Sequence, residues 1–372
     1  MAVERSRSLL IRAVCVISLV SFAAVTWVSA RSPRRERQRR MARIPTVVSE
    51  FIFTDAPFRE CHASTLVELP DGDLLAAWFG GKREGDPSVA IWGARRTHGA
   101  WSPPEVWARE LGAPCWNPVL FRDQHNKIWL FYKYGSSPRT WHGACRTSTD
   151  GKNWSAATHL PGGPPNVEIL GPIKNKPVLL SNGDVLAGSS VETPTSWQCW
   201  VEISSDDCRT WRKYGPISVA GGAPDSATGP YGIIQPTVWE IAAGRLKVLT
   251  RSTGQIGAIC AASSEDGGRT WTPARPTSLP NPNSGIDAVK LKDGTLALVY
   301  NHTRSGRTPL DIAFSHDDGS TWSAPYVLED EPGEYSYPAI IQTRDGLLHI
   351  TYTWRRRRIK HVVIDAHDVA RR

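Results

Sequence analysis

The chain has 372 residues, with 16 Trp and 2 Met, and its 31 Gly and 28 Pro are spread along its length. This composition is typical of many short strands joined by tight turns and excludes a mainly helical protein. The formal net charge of +8 arises within residues 1–43, which hold ten Arg and two acidic residues. The rest of the chain is formally neutral, which excludes a basic nucleic-acid-binding domain.

The N-terminal segment, residues 1–45, contains an uncharged apolar run at 13–30 that is followed by the basic run "RSPRRERQRR". The apolar run is at the lower limit for spanning a bilayer and is long for the core of a signal peptide. We expect entry into the secretory pathway, by a cleaved signal peptide or by an uncleaved membrane anchor. The protein is then secreted or membrane-anchored and faces the lumen or the exterior. The sequons at Asn153 and Asn301 fit that location.

Six strand-turn-strand segments follow, and their turns carry Asp-Gly, Asn-Gly or similar pairs that adopt positive φ at low cost. They span residues 62–79, 117–134, 176–190, 235–251, 287–300 and 337–354. Each hairpin is followed by further β-structure, so the pattern predicts six four-stranded blades of a β-propeller.

A second repeat, out of phase with the hairpins, is the Asp box, which has the form S-x-D-x-G-x-T-W. Its copies are "STDGKNW", "SSDDCRTW", "SSEDGGRTW" and "SHDDGSTW", and a degenerate copy ends at Trp101. The Asp is expected to accept backbone N–H bonds across a hairpin while the Trp packs between sheets. A ligand site built from this motif would recur in every copy, so we interpret the box as scaffold. Cys208 replaces the Gly of one copy and indicates an altered turn there.

Only one further strand can follow Trp354 before the tail, residues 366–372, so the sixth blade lacks a strand. We expect "TVVSEFIF", residues 46–53, to fill that place and close the ring, which also removes a free sheet edge. The sequence thus predicts an all-β, six-bladed, monomeric propeller over residues 46–365. The run Arg355–Arg358 is expected to be a solvated edge.

Cysteine spacing gives no sign of a metal or redox site. Six Cys lie outside the apolar run, at positions 61, 115, 145, 199, 208 and 260, and they form no CxxC pair. We expect buried free thiols and no metal or other cofactor.

The first residue of each hairpin is expected to face the central axis, because the first strand of a blade is innermost. These residues are His62, Asn117, Lys176, Gln235, Asp287 and Tyr337. Six polar side chains that converge on one concavity favour a polar ligand site.

With these motifs the chain resembles the sialidase (neuraminidase) superfamily, six-bladed propellers with Asp-box or BNR repeats, over about residues 46–365. The resemblance implies a catalytic site. The family's acid/base Asp matches Asp86 in "KREGDP", and its nucleophilic Tyr matches Tyr335 in "EYSYPA". Two of its three substrate-clamping Arg match Arg251 in "LTRSTG" and Arg307 in "SGRTPL".

Two positions depart from the family pattern. The first clamping Arg aligns with His62, although Arg59 lies three residues away and could reach the site. The Glu that polarises the tyrosine aligns with Gln235. A sialidase uses a neutral Tyr nucleophile because an anionic one would be repelled by the substrate carboxylate. Losing the Glu therefore puts the activation of Tyr335 in question.

Three functions remain open on the sequence alone. The first is an exo-α-sialidase-type hydrolase that removes a terminal acidic sugar from a glycan. The second is a lyase, or another hydrolase, acting on a uronate-containing polysaccharide, which the changes at His62 and Gln235 favour. The third is a glycan-binding propeller without turnover. All three have an acidic glycan as partner.

Overall fold

The computed structural model describes residues 43–366, which form only strands, turns and connecting segments. The predictions made for residues 13–30, for nearly all of 1–45 and for 367–372 lie outside the described residues. The strands make six blades, which confirms the predicted all-β propeller. In this described part of the chain, no helix is long and apolar enough to cross a membrane.

The first three blades follow the chain from residue 60, after β1 (Val48–Phe51). Blade 1 holds β2 (Glu60–Glu68), β3 (Leu74–Gly81), β4 (Ala90–Thr97), β5 (Ala100–Trp101) and β6 (Glu105–Ala108). Blade 2 holds β7 (Cys115–Arg122), β8 (Ile128–Tyr134), β9 (His142–Ser148) and β10 (Thr158–His159). Blade 3 holds β11 (Val178–Leu179), β12 (Val185–Glu192), β13 (Ser196–Ser204) and β14 (Arg212–Ile217).

The last three blades continue in chain order. Blade 4 holds β15 (Tyr231–Ala242), β16 (Arg245–Ser252), β17 (Ala258–Ser264) and β18 (Arg275–Pro280). Blade 5 holds β19 (Asp287–Lys290), β20 (Leu296–Tyr300), β21 (Leu310–Ser315) and β22 (Tyr326–Glu329). Blade 6 holds β23 (Tyr335–Gln342), β24 (Leu347–Trp354) and β25 (Arg358–Asp365).

The N-terminal strand closes the ring as predicted. β1 pairs antiparallel with β25, from Val48 opposite Val363 to Phe51 opposite Lys360, and becomes the fourth strand of blade 6. Glu50 Oε1 on β1 accepts a hydrogen bond from His361 Nδ1 at 2.9 Å. The same oxygen accepts from Arg96 Nε and Trp101 Nε1 of blade 1, both at 3.0 Å. Closure therefore ties the last blade to the first.

The innermost strands of blades 1, 2, 4 and 6 share a β-bulge at the same register. In β2 the two residues between His62 and Thr65 lie opposite a single residue of β3, and equivalent bulges occur in β7, β15 and β23. The first of the two bulge residues has positive φ in each strand, and these residues are Ala63, Asn117, Gln235 and Tyr337. Ala63, and not His62, is thus the counterpart of the other three, so the alignment of His62 with them was one residue out of step.

The Asp boxes are turns held by one carboxylate each, as the sequence predicted. Asp266 Oδ1 accepts from the backbone N–H groups of Arg269 and Thr270 at 3.0 and 2.9 Å. Ser264 Oγ donates to Asp266 and accepts from the backbone N–H of Gly268. Cys208, which replaces this Gly in blade 3, keeps the left-handed backbone with φ of 64°.

Hydrophobic packing between neighbouring blades forms the core. Asp-box Trp154 lies 5.2 Å from Trp107 of blade 1, and Trp211 lies 5.8 Å from Phe131 of blade 2, measured between ring centroids. Each box therefore joins its own blade to the preceding one. The cysteines of the described residues are all buried and free, as expected from their spacing.

Candidate functional site

Tyr337 lies where side chains from several blades meet at the inner ends of their strands. Its ring is nearly buried, at 8% exposure, and its positive φ of 53° places it at the bulge of β23. Gln235 Nε2 donates to its hydroxyl at 3.3 Å, and the His62 ring packs 4.2 Å from its ring centroid. We call Tyr337, Gln235, His62, Arg251 and Arg307 the Tyr337 cluster.

Arg251 reaches the cluster from β16 of blade 4. Its Nη1 donates to the Tyr337 hydroxyl at 2.5 Å and to Gln235 Oε1 at 3.2 Å. Its Nε donates to Asn283 Oδ1 at 2.8 Å, and its guanidinium carbon lies 5.0 Å from the Trp197 ring centroid. Nη2 donates to no other described residue. A planar guanidinium held in this way offers its free edge to a carboxylate.

Arg307 approaches the same ring from blade 5. The guanidinium carbons of Arg251 and Arg307 each lie 5.6 Å from the Tyr337 ring centroid. Glu334 Oε1 accepts from Arg307 Nη1 at 2.7 Å and from Arg356 Nε at 2.8 Å. Burial opposes ionisation of Glu334, but Arg356 and Arg307 together hold its pKa below the usual range. Glu334 therefore orients two cations toward the cluster.

His62 is buried and uncharged near neutral pH. It is 2% exposed, and its Nδ1 shares a hydrogen bond with Thr353 Oγ1 at 2.9 Å. Burial, and then the positive charges of Arg356 and Arg307, lower the pKa of His62 well below its usual range. Neutral imidazole beside a phenol can exchange a proton with a ligand, whereas it cannot replace a clamping Arg as a permanent cation.

Lys174 forms the floor beneath the cluster. Its ammonium donates to Asn175 Oδ1 at 2.8 Å and to the carbonyl oxygens of Ile286 and Pro338, both at 2.5 Å. A Cβ added at Gly285 would lie 3.2 Å from Lys174 Cε and 3.4 Å from both Gln235 and Tyr337. Burial lowers the pKa of Lys174 to about 7, although Asp287 opposes that change.

Lys176 and Asp287, predicted to bind substrate, pair with each other instead. Lys176 Nζ donates to Asp287 Oδ2 at 2.9 Å. The same carboxylate accepts from the backbone N–H of Ile340 at 2.9 Å and from Thr237 Oγ1 at 3.1 Å. These contacts link blades 3, 4, 5 and 6, so the pair acts as a brace within the propeller. Asn117 is buried at the bulge of β7, and its side chain has no hydrogen-bond partner among the described residues.

Tyr335 lies outside the Tyr337 cluster. It is fully buried among the apolar side chains of blades 5 and 6, and Arg355 Nε and Nη2 donate to its hydroxyl at 3.3 and 3.2 Å. The match to the family's Tyr-Ser motif therefore selected a packing residue. The tyrosine beside Gln235 and Arg251 is two residues further along, at Tyr337.

Asp86 and Arg59 are not brought into contact with the cluster. Asp86 lies on the loop after β3, where its Oδ1 accepts from the backbone N–H of Ser88 at 2.8 Å. Hydrogen bonds from Ser88 lower the pKa of Asp86. Arg59 is exposed and lines a groove of about 660 Å³ with Lys82, Arg109 and Trp92. Ser88 lines the same groove, so the Asp86 loop borders it.

Arg356 is a charged residue beside the cluster that the sequence interpretation missed. It was assigned with its neighbours to a solvated edge, yet it pairs with Glu334 and with Glu84 and is largely shielded. The position of the run Arg355–Arg358 was the signal in the sequence that could have identified Arg356. It falls in the turn between β24 and β25, at the same end of the hairpin as Tyr337. Within the described residues, no cluster of three or more His, Cys, Asp or Glu could hold a metal ion.

The sequence profile described as "BNR repeat-like domain" matches residues 72–350, about three quarters of the chain. No curated protein matches the chain. Solved structures do match. A protein of unknown function from Dyadobacter fermentans is 18% identical with a TM-score of 0.72, covering 86% of this chain and 98% of that one.

Two sialidase structures are similar in fold. The NanB sialidase from Streptococcus pneumoniae is 13% identical with a TM-score of 0.69, covering 86% of this chain and 71% of that chain. The intramolecular trans-sialidase from Ruminococcus gnavus is 14% identical with a TM-score of 0.67, covering 87% and 98%. At these identities the likeness shows the fold alone, and the matching family model bears out the BNR repeats expected from the motifs.

Proposed function

The chain belongs to the BNR repeat-like domain family, and on that premise we propose that it is a sialidase-like glycoside hydrolase that removes a terminal acidic sugar from a glycan. The observation that carries this proposal is the placement of Arg251 and Arg307 at equal distances, 5.6 Å, from the Tyr337 ring. Two guanidinium groups beside one phenol can hold a sugar carboxylate next to a neutral nucleophile.

In this mechanism Arg251 and Arg307 bind the carboxylate, and the Tyr337 oxygen attacks the anomeric carbon. The bond to the leaving oxygen breaks, and that oxygen takes a proton from an acid, for which Asp86 is the candidate. Water then releases the sugar from Tyr337. The phenol proton passes to the neutral imidazole of His62, which packs beside the ring, and it returns to Tyr337 when water releases the sugar. Arg251 and Gln235 both donate to the phenol oxygen, so they stabilise the negative charge that develops on it.

Hydrolysis of a fluorogenic sialoside by the purified protein tests this function. Arg251→Ala and Arg307→Ala are each expected to weaken substrate binding by about 2–5 kcal/mol, since the carboxylate loses a charge-assisted partner. Asp86→Asn is expected to lower turnover by about 10²–10⁴-fold with binding little changed. Hydrolysis should be assayed from about pH 4 to about pH 8, where general acid–base groups usually work. Absence of sialoside hydrolysis throughout this range would reject the sialidase form of the proposal.

A second candidate, β-elimination at a uronate, is favoured by Gln235 and His62. The position next to the tyrosine lacks a carboxylate, and a neutral imidazole packs 4.2 Å from the phenol ring. In elimination either the imidazole of His62 or the phenol of Tyr337 removes the proton beside the uronate carboxylate, and the C–O bond to the leaving sugar breaks. The other of these two groups protonates the leaving oxygen. The product carries a C=C bond, so its ultraviolet absorbance separates elimination from hydrolysis.

Gln235→Glu separates the two reactions further. A carboxylate beside Tyr337 would accept the phenol proton and is expected to raise sialoside hydrolysis. If this variant instead destroys activity on a uronate polysaccharide, the elimination hypothesis is supported and the hydrolase hypothesis is rejected. A propeller that only binds glycan would show neither product. Secretion, with or without a membrane anchor, remains part of the proposal because such glycans are found outside the cell.

A further inference from the structure

Glu192 is the last residue of β12 in blade 3, and the strand geometry directs its side chain toward blade 4. Ser190 and Glu192 are two residues apart on one strand, so their side chains project from the same face. Ser190 Oγ accepts a hydrogen bond from the backbone N–H of Gln235 at 2.8 Å. The face of β12 that carries Glu192 is therefore the face that contacts β15 and the Tyr337 cluster.

The cross-strand partner of Glu192 gives the same direction. Glu192 lies directly opposite Trp197 on β13, and directly opposed residues of an antiparallel pair share a face. The Trp197 ring centroid lies 5.0 Å from the guanidinium carbon of Arg251. Glu192 and Trp197 therefore form a wall beside Arg251, at the point where we place the ligand carboxylate.

Glu192 differs from Glu334 and Asp287 in having no hydrogen-bond partner among the described residues. Glu334 is held by Arg307 and Arg356, and Asp287 by Lys176, whereas the Glu192 carboxyl makes no hydrogen bond to another described residue. Burial raises the pKa of Glu192, while Arg251 and Arg139 oppose that rise. A ligand carboxylate bound to Arg251 would offset part of the positive charge that stabilises ionised Glu192. Protonation of Glu192 would therefore become more favourable.

We propose that Glu192 is a specificity-determining residue that takes up a proton from solvent when a sugar carboxylate binds beside Arg251. Its neutral carboxyl then donates a hydrogen bond to that sugar. This inference rests on the proposed function for one premise, that the ligand is an acidic sugar, and it holds for hydrolysis and for elimination alike. It adds blade 3 to the substrate-binding surface.

Several groups can exchange protons when an anion binds here. Arg251 from blade 4 and Arg139 from the loop after β8 face Glu192 and stay charged. His62 and Lys174 belong to the same site, and both have lowered pKa values because they are buried. Proton uptake by the wild type alone is therefore ambiguous. The difference between the wild type and Glu192→Gln isolates the proton carried by Glu192.

Isothermal titration calorimetry with N-acetylneuraminic acid and with glucuronic acid as probes measures this difference. Titrations in buffers of different ionisation enthalpy, from acidic to alkaline pH, give the number of protons bound. Wild-type affinity is expected to fall by up to about tenfold per pH unit above the midpoint. E192Q is expected to bind fewer protons, with a shallower pH dependence, and to bind more tightly than the wild type at alkaline pH. E265Q, on the exposed side chain of Glu265, is the matched control.

The outcomes are distinct. Equal proton uptake by the wild type and E192Q, with binding retained, overturns the role of Glu192 and leaves the proposed function intact. If neither protein binds either acidic sugar, the proposed function fails and the role of Glu192 fails with it. Glu192→Asp, which keeps a titrating carboxyl, is expected to retain proton uptake and supplies the test should E192Q unfold.

Discussion

Tyr337 combines a reactive side chain with a backbone conformation that few residues other than Gly adopt. Its φ is 53°, and its two counterparts in blades 2 and 4 are Asn117 and Gln235, at 38° and 56°. Such conformations are costly and persist where the surrounding structure fixes them. The bulge aims the ring between Arg251 and Arg307, so the strain serves to position the phenol.

Tyr337→Phe is expected to lower turnover by at least about 10²-fold, because it removes the atom that attacks or donates a proton. Folding should be little affected, since the ring and its packing remain. Tyr335→Phe is the matched control and should stay within a few-fold of the wild type. Steady-state kinetics on the active substrate measure both. Loss of turnover in the Tyr335 variant alone would return the nucleophile to the position matched by the family motif.

The residue-level predictions show what a motif can locate. The resemblance to the family's motifs matched Arg251 in "LTRSTG" and Arg307 in "SGRTPL", which the structure brings to one ring. The Tyr-Ser match chose Tyr335 because both it and Tyr337 stand at the entry of β23. The bulge of β23, with positive φ at Tyr337, turns that ring toward His62 of blade 1, whereas Tyr335 packs among the side chains of blades 5 and 6. The sequence pattern alone therefore could not choose between them.

At the level of elements, each Asp box is a turn in which one carboxylate accepts hydrogen bonds from several groups of the same turn. The hairpins and the boxes were predictable, because Asp-Gly turns and the repeated Trp are local signals. The bulges were not, since these inner strands are buried along most of their length and carry no apolar–polar alternation that an extra residue could interrupt. That is why His62 was aligned one residue away from its structural register.

Asp266→Ala is expected to destabilise the protein by about 1–3 kcal/mol, because the N–H groups of Arg269 and Thr270 and the Thr270 hydroxyl lose their acceptor. Those three hydrogen bonds measure 3.0, 2.9 and 2.6 Å. Urea unfolding followed by Trp fluorescence gives the difference. Asp225→Ala, at an exposed position in the loop between β14 and β15, is the control. Catalytic parameters should not change in either variant, since the box is scaffold.

At the level of the whole molecule, stability depends on closing the ring between β1 and β25. Glu50 holds His361, which in turn shares a hydrogen bond with His349 at 3.0 Å. The His361 hydrogen bond, and then Arg96, lower the pKa of Glu50 to about 2 against the opposing effect of burial. Burial lowers the pKa of His349 to about 4. The closure therefore consists of an ionised Glu and neutral His side chains.

These lowered pKa values give the sign of the pH dependence. The unfolded chain binds protons more readily than the folded one, so stability is lost as pH falls, first from 6.5 toward 4 through His349 and then from 4.5 toward 2 through Glu50. Glu50→Gln is expected to cost about 1–2 kcal/mol near pH 7, a figure discounted for the solvent exposure of Glu50. The cost should shrink below pH 4.5, where wild-type Glu50 begins to lose its advantage.

Urea unfolding of the wild type and of Glu50→Gln over this pH range measures the difference. Glu331→Gln, at an exposed position in blade 6's entry loop, is the matched control and should follow the wild type. A Glu50→Gln penalty that stays constant with pH would mean that Glu50 acts through shape alone and not through its charge.

The strand that closes the ring is also the strand to which the N-terminal segment is joined. Before β1 the chain contacts blade 5, where Arg43 pairs with Asp330 and bridges to Val327. In mechanical terms, a force applied through the N-terminal segment meets this contact first and the β1–β25 ladder next. If the segment holds the protein at a surface, the same hydrogen bonds that close the propeller bear the load, and the tether and the ring would fail together.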